Sequence, residues 1–288
     1  MSHIEVVFAE IGEGARIVQC KAGPAALQQR LQDLQSHKLT IALGQTVTSD
    51  ASLGSKMAIV EDYMPRLASA VDAVMKREVF PVVIGGDHSC AIGTWSAIAK
   101  TYRDRGDIGL IWIDAHLDSH TPETSESGAP HGMPLAHLLG KGNDKLTSIA
   151  DALPKFKPEN VVVIGARSSE AGEEQLLASM GVRVMRIEEV QQKGFLYCLG
   201  EAIEIVTKNT IGFGITFDVD SIDPKQAPGV GSPEENGLDA WEVVTAFEVM
   251  DKTKLVGFEL VEYNPERDVD FETEDVCIEI LYAAVSGT

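Results

Sequence analysis

The sequence predicts an α/β fold: a mostly parallel sheet flanked by helices on both faces. Two observations carry that prediction. Short β-branched runs alternate with longer amphipathic stretches along the chain, as strands and covering helices do in turn. Several of those runs are apolar without a break, Val82-Val83-Ile84 and Leu110-Ile111-Trp112-Ile113 among them. Unbroken apolar character suits strands covered on both sides rather than on one.

In chain order the candidate strands are Ile4–Ala9, Thr40–Leu43, Phe80–Ile84, Ile108–Ile113, Asn160–Ile164, Val182–Arg186, Ile211–Phe217 and Lys254–Leu260. The helical patterns between them are Gly23–Gln35, Lys56–Lys76, Cys90–Tyr102, Gly172–Ser179, Leu196–Lys208 and Ala240–Met250, with a last helix from about Glu272 to Ala284. Asp239, just before Ala240, has the side chain of a helix N-cap. No linker rich in Pro, Gly or Ser divides the chain and no internal repeat is visible, so residues 1–288 read as one domain. The longest polar stretch without periodicity is Ser119–Pro130, a length that marks either a working loop or disorder.

The 288 residues carry 44 acidic against 24 basic side chains, a formal charge of −20, with 44% apolar residues. That balance argues against nucleic acid or an anionic membrane as partner, since both require basic patches. For most of the carboxylates a solvated surface is sufficient explanation. Cys20, Cys90, Cys198 and Cys277 lie far apart and form no Cys-x-x-Cys pair. Neither a disulfide framework nor a structural zinc site is expected, and a reducing compartment fits. The N-terminus has no basic segment followed by an apolar one, and no apolar run is long enough to span a bilayer. A cytoplasmic location is the expectation.

Three segments place metal-ligand side chains just past a buried strand. They are Gly85-Gly86-Asp87-His88-Ser89, Asp114-Ala115-His116-Leu117-Asp118 and Asp218-Val219-Asp220-Ser221-Ile222-Asp223-Pro224. In open α/β sheets ligands bind beyond the carboxyl ends of the strands, so all three should face one crevice. In an extended segment Asp114, His116 and Asp118 point to one side, as do Asp218 and Asp220. Two imidazoles, His88 and His116, and four carboxylates would then converge. Carboxylates packed together repel and raise each other's pKa, and cations relieve that repulsion. Six ligands are more than one first-row ion takes from protein, so a pair of ions sharing carboxylates fits better. Oxygen-rich coordination with a minority of imidazole favours manganese over zinc. Two such ions sit about 3.5–4 Å apart and lower the pKa of a shared water toward neutrality. Any one segment alone occurs by chance; three at strand ends make coincidence a poor explanation.

Taken in this order, Gly-Gly-Asp-His-Ser, Asp-Ala-His-x-Asp and Asp-Val-Asp-x-x-Asp-Pro resemble the signature of the ureohydrolases, the family of arginase, agmatinase and formiminoglutamase. The resemblance runs from about Gly85 to the C-terminus. It implies an arginase-like central sheet of eight parallel strands and a homo-oligomer, trimer or hexamer. It also implies two Mn2+ ions: one held by His88, Asp114, Asp118 and Asp218, the other by Asp114, His116, Asp218 and Asp220, with Asp114 and Asp218 as bridges.

The loop from Thr121 to Pro134 resembles that of arginases more than that of agmatinases. Arginases use it to bind the α-carboxylate of their amino-acid substrate through hydroxyls, and Ser125 and Ser127 fall at those positions. His131 matches the family's catalytic histidine, suited to pass a proton to the leaving amine. Glu262, in Val261-Glu262-Tyr263-Asn264-Pro265, resembles the family's Glu-x-Asn-Pro and would pair bidentately with the substrate guanidinium. Glu259, three residues earlier, is expected on the other face as a surface group or one behind the site. Glu170 falls where arginases carry an aspartate that contacts the α-amino group. Three further positions depart from the arginase pattern: His120 and Ala129 replace asparagines and Ser232 replaces a threonine.

The resulting expectation is hydrolysis of L-arginine to L-ornithine and urea. A metal-bridging hydroxide attacks the guanidinium carbon held by Glu262, and a proton passes through Asp118 and His131. Alternatives are a ureohydrolase acting on agmatine or a guanidino acid, a non-catalytic family member in an assembly, and a zinc deacetylase on a related sheet. The carboxylate excess and the intact ligand set count against the last two.

Overall fold

The computed structural model describes residues 4–34 and 41–288. The Gln35 end of the first expected helix and the Thr40 start of the second expected strand lie outside them. Eight strands form one sheet: β1 (Ile4–Glu10), β2 (Ile41–Thr48), β3 (Phe80–Gly85), β4 (Ile108–Ile113), β5 (Val161–Ala166), β6 (Arg183–Arg186), β7 (Gly212–Asp218) and β8 (Leu255–Val261). The order across it is β2-β1-β3-β8-β7-β4-β5-β6, and every neighbouring pair is parallel.

The α-helices are α1 (Gly23–Leu34), α2 (Lys56–Met75), α3 (Ala91–Tyr102), α4 (Pro134–Leu138), α5 (Asp144–Thr147), α6 (Ala171–Met180), α7 (Ile187–Lys193), α8 (Phe195–Thr207), α9 (Ala240–Val249) and α10 (Glu272–Val285). Asp239 caps α9, its carboxylate accepting from the amides of Trp241 and Glu242. Helices α4, α5 and α7 were not anticipated. Each spans two turns or fewer, too short to show an apolar period.

The sheet has a core on each side, which is why its strands read as unbroken apolar runs. Ile111 and Ile113 of β4 join Phe8, Ile84, Ile164 and Phe217 under α1, α8, α9 and α10. Leu110 and Trp112 face the other way and join Val7, Val83 and Val163 under α2 and α3. Strand β2 differs. It pairs only with β1 and is half-exposed from Ala42 to Thr46, so its hydrophobic signal fades at Leu43 although the strand runs on to Thr48.

The central four strands, β3-β8-β7-β4, are the ones whose carboxyl ends carry the ligand-rich segments. Because they are parallel and adjacent, those ends share one edge of the sheet. Glu259 on β8 sits opposite Thr216 of β7 and Val83 of β3, and is fully buried. The expectation that it could be a surface group is overturned: a central strand between two helix layers has no surface face.

Candidate metal centre

His88 follows β3 at a short 3-10 turn, capped by Asp87, whose carboxylate accepts from Ser89 N. Its ring is fully buried, stacked on Trp112 with centroids 4.2 Å apart. Its Nδ1 lies 3.1 Å from each of three carboxylate oxygens, of Asp114, Asp118 and Asp218, and makes no hydrogen bond of its own. One nitrogen can donate one proton, so three equidistant carboxylates describe a cage for a cation. Its Nε2 is 3.0 Å from Thr216 Oγ1, and that hydroxyl donates to Glu259 Oε2 at 2.7 Å. Trp95 Nε1 also donates to Glu259, at 3.0 Å.

A second group adjoins the first. His116 Nδ1 lies 3.4 Å from Asp114 Oδ1 and 3.2 Å from Asp220 Oδ2. Ligand atoms of His88, Asp114 and Asp218 lie within 4.8 Å of one another, and so do those of Asp114, His116 and Asp220. By this geometry Asp114 joins the two groups, while Asp218 falls in the first. Trp112 Nε1 and the amide of His116 both donate to Asp114 and fix its orientation.

The expected extended run from Asp114 to Asp118 does not hold. Strand β4 stops at Ile113, and Asp118 has φ +46. A left-handed turn, not strand alternation, brings Asp118 back to His88; such a conformation is unusual outside Gly and marks a constrained position.

Burial and crowding set the electrostatics. Burial, then the charges of Asp220 and Asp114, push Asp218 well above the usual carboxylate range. Burial and Asp114 push Asp118 up to about 7. Burial also raises Asp114, but the imidazoles of His116 and His88 outweigh it and hold that carboxyl low. A buried set in which carboxylates can ionise only at each other's expense fits divalent cations, and oxygen ligands with one imidazole per group fit manganese chemistry.

Above the two groups opens a cavity of about 270 Å³ lined by His116, Asp118, His120, Ser127, His131, Asp218, Asp220, Ser232 and Glu262 together with Arg16, Gly132, Ser168, Glu173 and Glu234. Glu262, just past β8, has φ +67. Its Oε1 accepts from His88 N at 2.9 Å and lies 3.2 Å from His131 Nδ1. The buried Cys20 thiol also contacts this carboxylate, so the open contact to a guanidinium is narrower than the full bidentate face the motif suggested. Burial lowers the His131 pKa, but Glu262, Asp118 and Asp87 outweigh it and push it up to about 9.

The loop residues divide. Ser127 lines the cavity and Ser125 does not. Each hydroxyl oxygen accepts a backbone amide, Ser125 from Gly128 at 3.0 Å and Ser127 from Ala129 at 3.2 Å. Their protons therefore point to other acceptors. His120 Nε2 is 3.2 Å from Glu170 and 3.5 Å from Glu173, and its Nδ1 is 3.1 Å from Thr124 Oγ1. Glu170 stands at the rim, half-exposed, and reaches the cavity only through His120.

Sequence reasoning missed Glu173, buried, accepting from Ser119 N at 3.1 Å and lining the cavity. It also missed Arg167, whose Nη2 donates to the carbonyls of Asp220 at 2.8 Å and Glu234 at 2.9 Å and so holds the second ligand loop. Glu173 lies on the same helical turn as Glu170. For Arg167, its position immediately past the end of β5 was the available signal.

The family model of the arginase family matches residues 9–286. An arginase of Bacillus caldovelox is 41% identical over 233 residues, 81% of this chain and 77% of that one. The crystal structure of arginase from Bacillus subtilis superposes with a TM-score of 0.89 at 32% identity, covering 100% of this chain and 99% of that one. That of Entamoeba histolytica arginase in complex with L-ornithine gives 0.87 at 26% identity, covering 99% and 100%. With a match that spans nearly all of its length and all eight strands of its sheet, the chain belongs to the arginase family of hydrolases.

Proposed function

We propose that the chain hydrolyses L-arginine to L-ornithine and urea with two Mn2+ ions. The observation that carries this reading is the joined pair of ligand groups, His88–Asp114–Asp218 and Asp114–His116–Asp220, at the floor of a cavity that Glu262 enters from one side. Asp118, 3.1 Å from His88 Nδ1, completes the first group. Two divalent ions there would supply a water ionised near neutral pH as the nucleophile. Further support comes from the relatives named arginase and from the L-ornithine found in the Entamoeba histolytica enzyme.

The chain's own residues do the rest. Glu262 Oε2 receives the substrate guanidinium, while Oε1 keeps the carboxylate oriented through His88 N and His131. Asp118 takes a proton at the cavity floor and His131, whose proton Glu262 helps to hold, delivers one to the leaving amine. Ser127 meets the amino-acid end of the substrate, and Ser232 lies near the guanidinium beside Glu262. We further infer a homo-oligomer, supported by the exposed Leu196 and Trp241 bordering one surface depression. The four buried, unpaired cysteines suit the reducing cytoplasm. No helix among the described residues is long and apolar enough to cross a membrane.

A second reading, cleavage of agmatine, is favoured by one observation. His120 is committed to Glu170 and Glu173, which takes away one neutral anchor for a substrate carboxylate and leaves negative charge where the α-carboxylate of L-arginine, absent from agmatine, would have to sit. Urea release by manganese-loaded protein from L-arginine, agmatine and guanidinobutyrate, assayed side by side, separates the two. L-Arginine should be turned over best; a preference for agmatine would replace the first reading with the second.

A further inference from the structure

The cavity lining holds six carboxylates, of Asp118, Glu173, Asp218, Asp220, Glu234 and Glu262, and one Lys or Arg side chain, Arg16. Arg16 is exposed, and its guanidinium makes no hydrogen bond or ion pair among the described residues. Every other arginine near the site is occupied: Arg167 with the Asp220 and Glu234 carbonyls, Arg267 with those of Val230 and Gly231. An uncommitted cation at the mouth of an acidic cleft is available to a ligand.

The segment that presents it is not free to wander. Gly14 N donates to Asp87 Oδ2 at 2.8 Å, Gly14 O accepts from His131 N at 3.2 Å, and Lys56 Nζ donates to Ala15 O at 2.5 Å. A Cβ on Gly14 would lie 2.6 Å from Asp87 Oδ1 and 2.8 Å from Ser89 Oγ, so glycine is what allows this close docking. Asp87 belongs to the Gly-Gly-Asp-His-Ser segment but to neither ligand group. Its contact with Gly14 ties the segment after the N-terminal strand to the site and places Arg16 in the cavity lining.

We propose that Arg16 is the residue by which this cleft selects an amino-acid substrate: its guanidinium captures the substrate α-carboxylate. This rests on the reading that the substrate is L-arginine. L-Arginine enters with one net positive charge and a carboxylate, agmatine with two positive charges and none. Of the six carboxylates, Asp118, Asp218 and Asp220 would face the metal ions; the other three, Glu173, Glu234 and Glu262, alone favour the dication. A cation at the mouth attracts the carboxylate, which agmatine lacks, and the amine is common to both substrates; an Arg–carboxylate contact is planar and can be bidentate. Arg16 thus supplies what His120 and Ala129 no longer offer.

The test uses the manganese-loaded full chain and its Arg16→Ala, Arg16→Glu and Arg16→Lys variants. Steady-state urea release is measured with L-arginine and agmatine, and calorimetric binding with L-ornithine and putrescine, which differ by the same carboxylate. Arg16→Ala should raise KM for L-arginine and weaken L-ornithine about tenfold, with kcat within about twofold, as expected for one lost charge-assisted contact. Arg16→Glu should weaken both further, Arg16→Lys should restore part, and agmatine and putrescine should bind as well or better in the alanine variant. L-Ornithine binding unchanged in Arg16→Ala overturns the proposal while arginine hydrolysis stands. A wild type that cleaves agmatine and ignores L-arginine removes the proposed function, and this inference with it. A lower melting temperature or lost manganese in Arg16→Ala would assign the residue to the fold and overturn the proposal too.

Discussion

The Nε2 of His88 and the Oγ1 of Thr216 lie 3.0 Å apart, and that contact decides which imidazole nitrogen is left for a cation. Thr216 spends its own proton on Glu259, 2.7 Å away, so towards His88 it can only accept. His88 therefore carries its proton on Nε2 and presents a bare Nδ1 to Asp114, Asp118 and Asp218. Thr216 and Glu259 are register partners on β7 and β8, so the sheet itself builds this relay.

Replacing Thr216 with Val keeps the shape and removes the relay. Manganese affinity should fall by roughly 10–100-fold, the usual cost of losing a partner behind a metal-bound histidine. Thr216→Ser should retain most of the affinity. Metal titration of the demetallated protein checks this, and equal affinities for Val and wild type would show that the hydroxyl does not set the tautomer.

His116 and His131 line the same cavity and should fail differently. His116 touches only carboxylates of the second group, Asp114 and Asp220, and Glu234 at 3.7 Å. Replacing it with Ala should lose manganese and activity together. His131 touches Glu262 and belongs to neither ligand group. His131→Ala should keep both ions and slow turnover by about 10²–10⁴-fold, the range for a lost proton donor. Metal content and kcat measured on one preparation of each variant make the comparison; manganese loss in His131→Ala would mean that it supports the ligands instead.

The parts of the site legible in the sequence were those fixed by strand ends. His88, Asp114, Asp218 and Glu262 follow directly from where β3, β4, β7 and β8 stop. What escaped depends on approach through space. Glu173 sits on a helix after a fifth strand, and Arg16 comes from a loop tied to the site by backbone contacts of Gly14 with Asp87 and His131. Arg16 has no ligand-like neighbour in the chain, and Glu173, though three residues from Glu170, reads there as a helix-capping carboxylate. Asp118 was assigned to the right place by the wrong geometry, because a strand period and a left-handed turn can deliver one carboxylate to the same spot. Glu259 was half-read for a related reason: strand alternation gives the face, but whether that face meets water depends on strand order, which the sequence leaves open.

A histidine outside the site should control acid stability. His137 on α4 is buried; its Nδ1 lies 2.7 Å from Met133 O and its Nε2 accepts from Asn143 N at 3.2 Å. With one nitrogen donating and the other accepting, only the neutral ring fits. Burial lowers its pKa, and the Met133 carbonyl and Glu123 only partly oppose that. The unfolded chain takes up this proton near pH 6.5 and the folded chain at lower pH. Its contribution is therefore complete above about pH 6.5 and is lost as the pH falls from there through the folded value, with a slope of at most about 1.4 kcal/mol per pH unit. His137→Gln removes the titration. Urea unfolding of wild type and variant between pH 8 and pH 5 should show their stability difference constant above neutrality and shrinking toward acid. A difference that stays flat, or grows as the pH drops, would show that the imidazole is accommodated in its charged form.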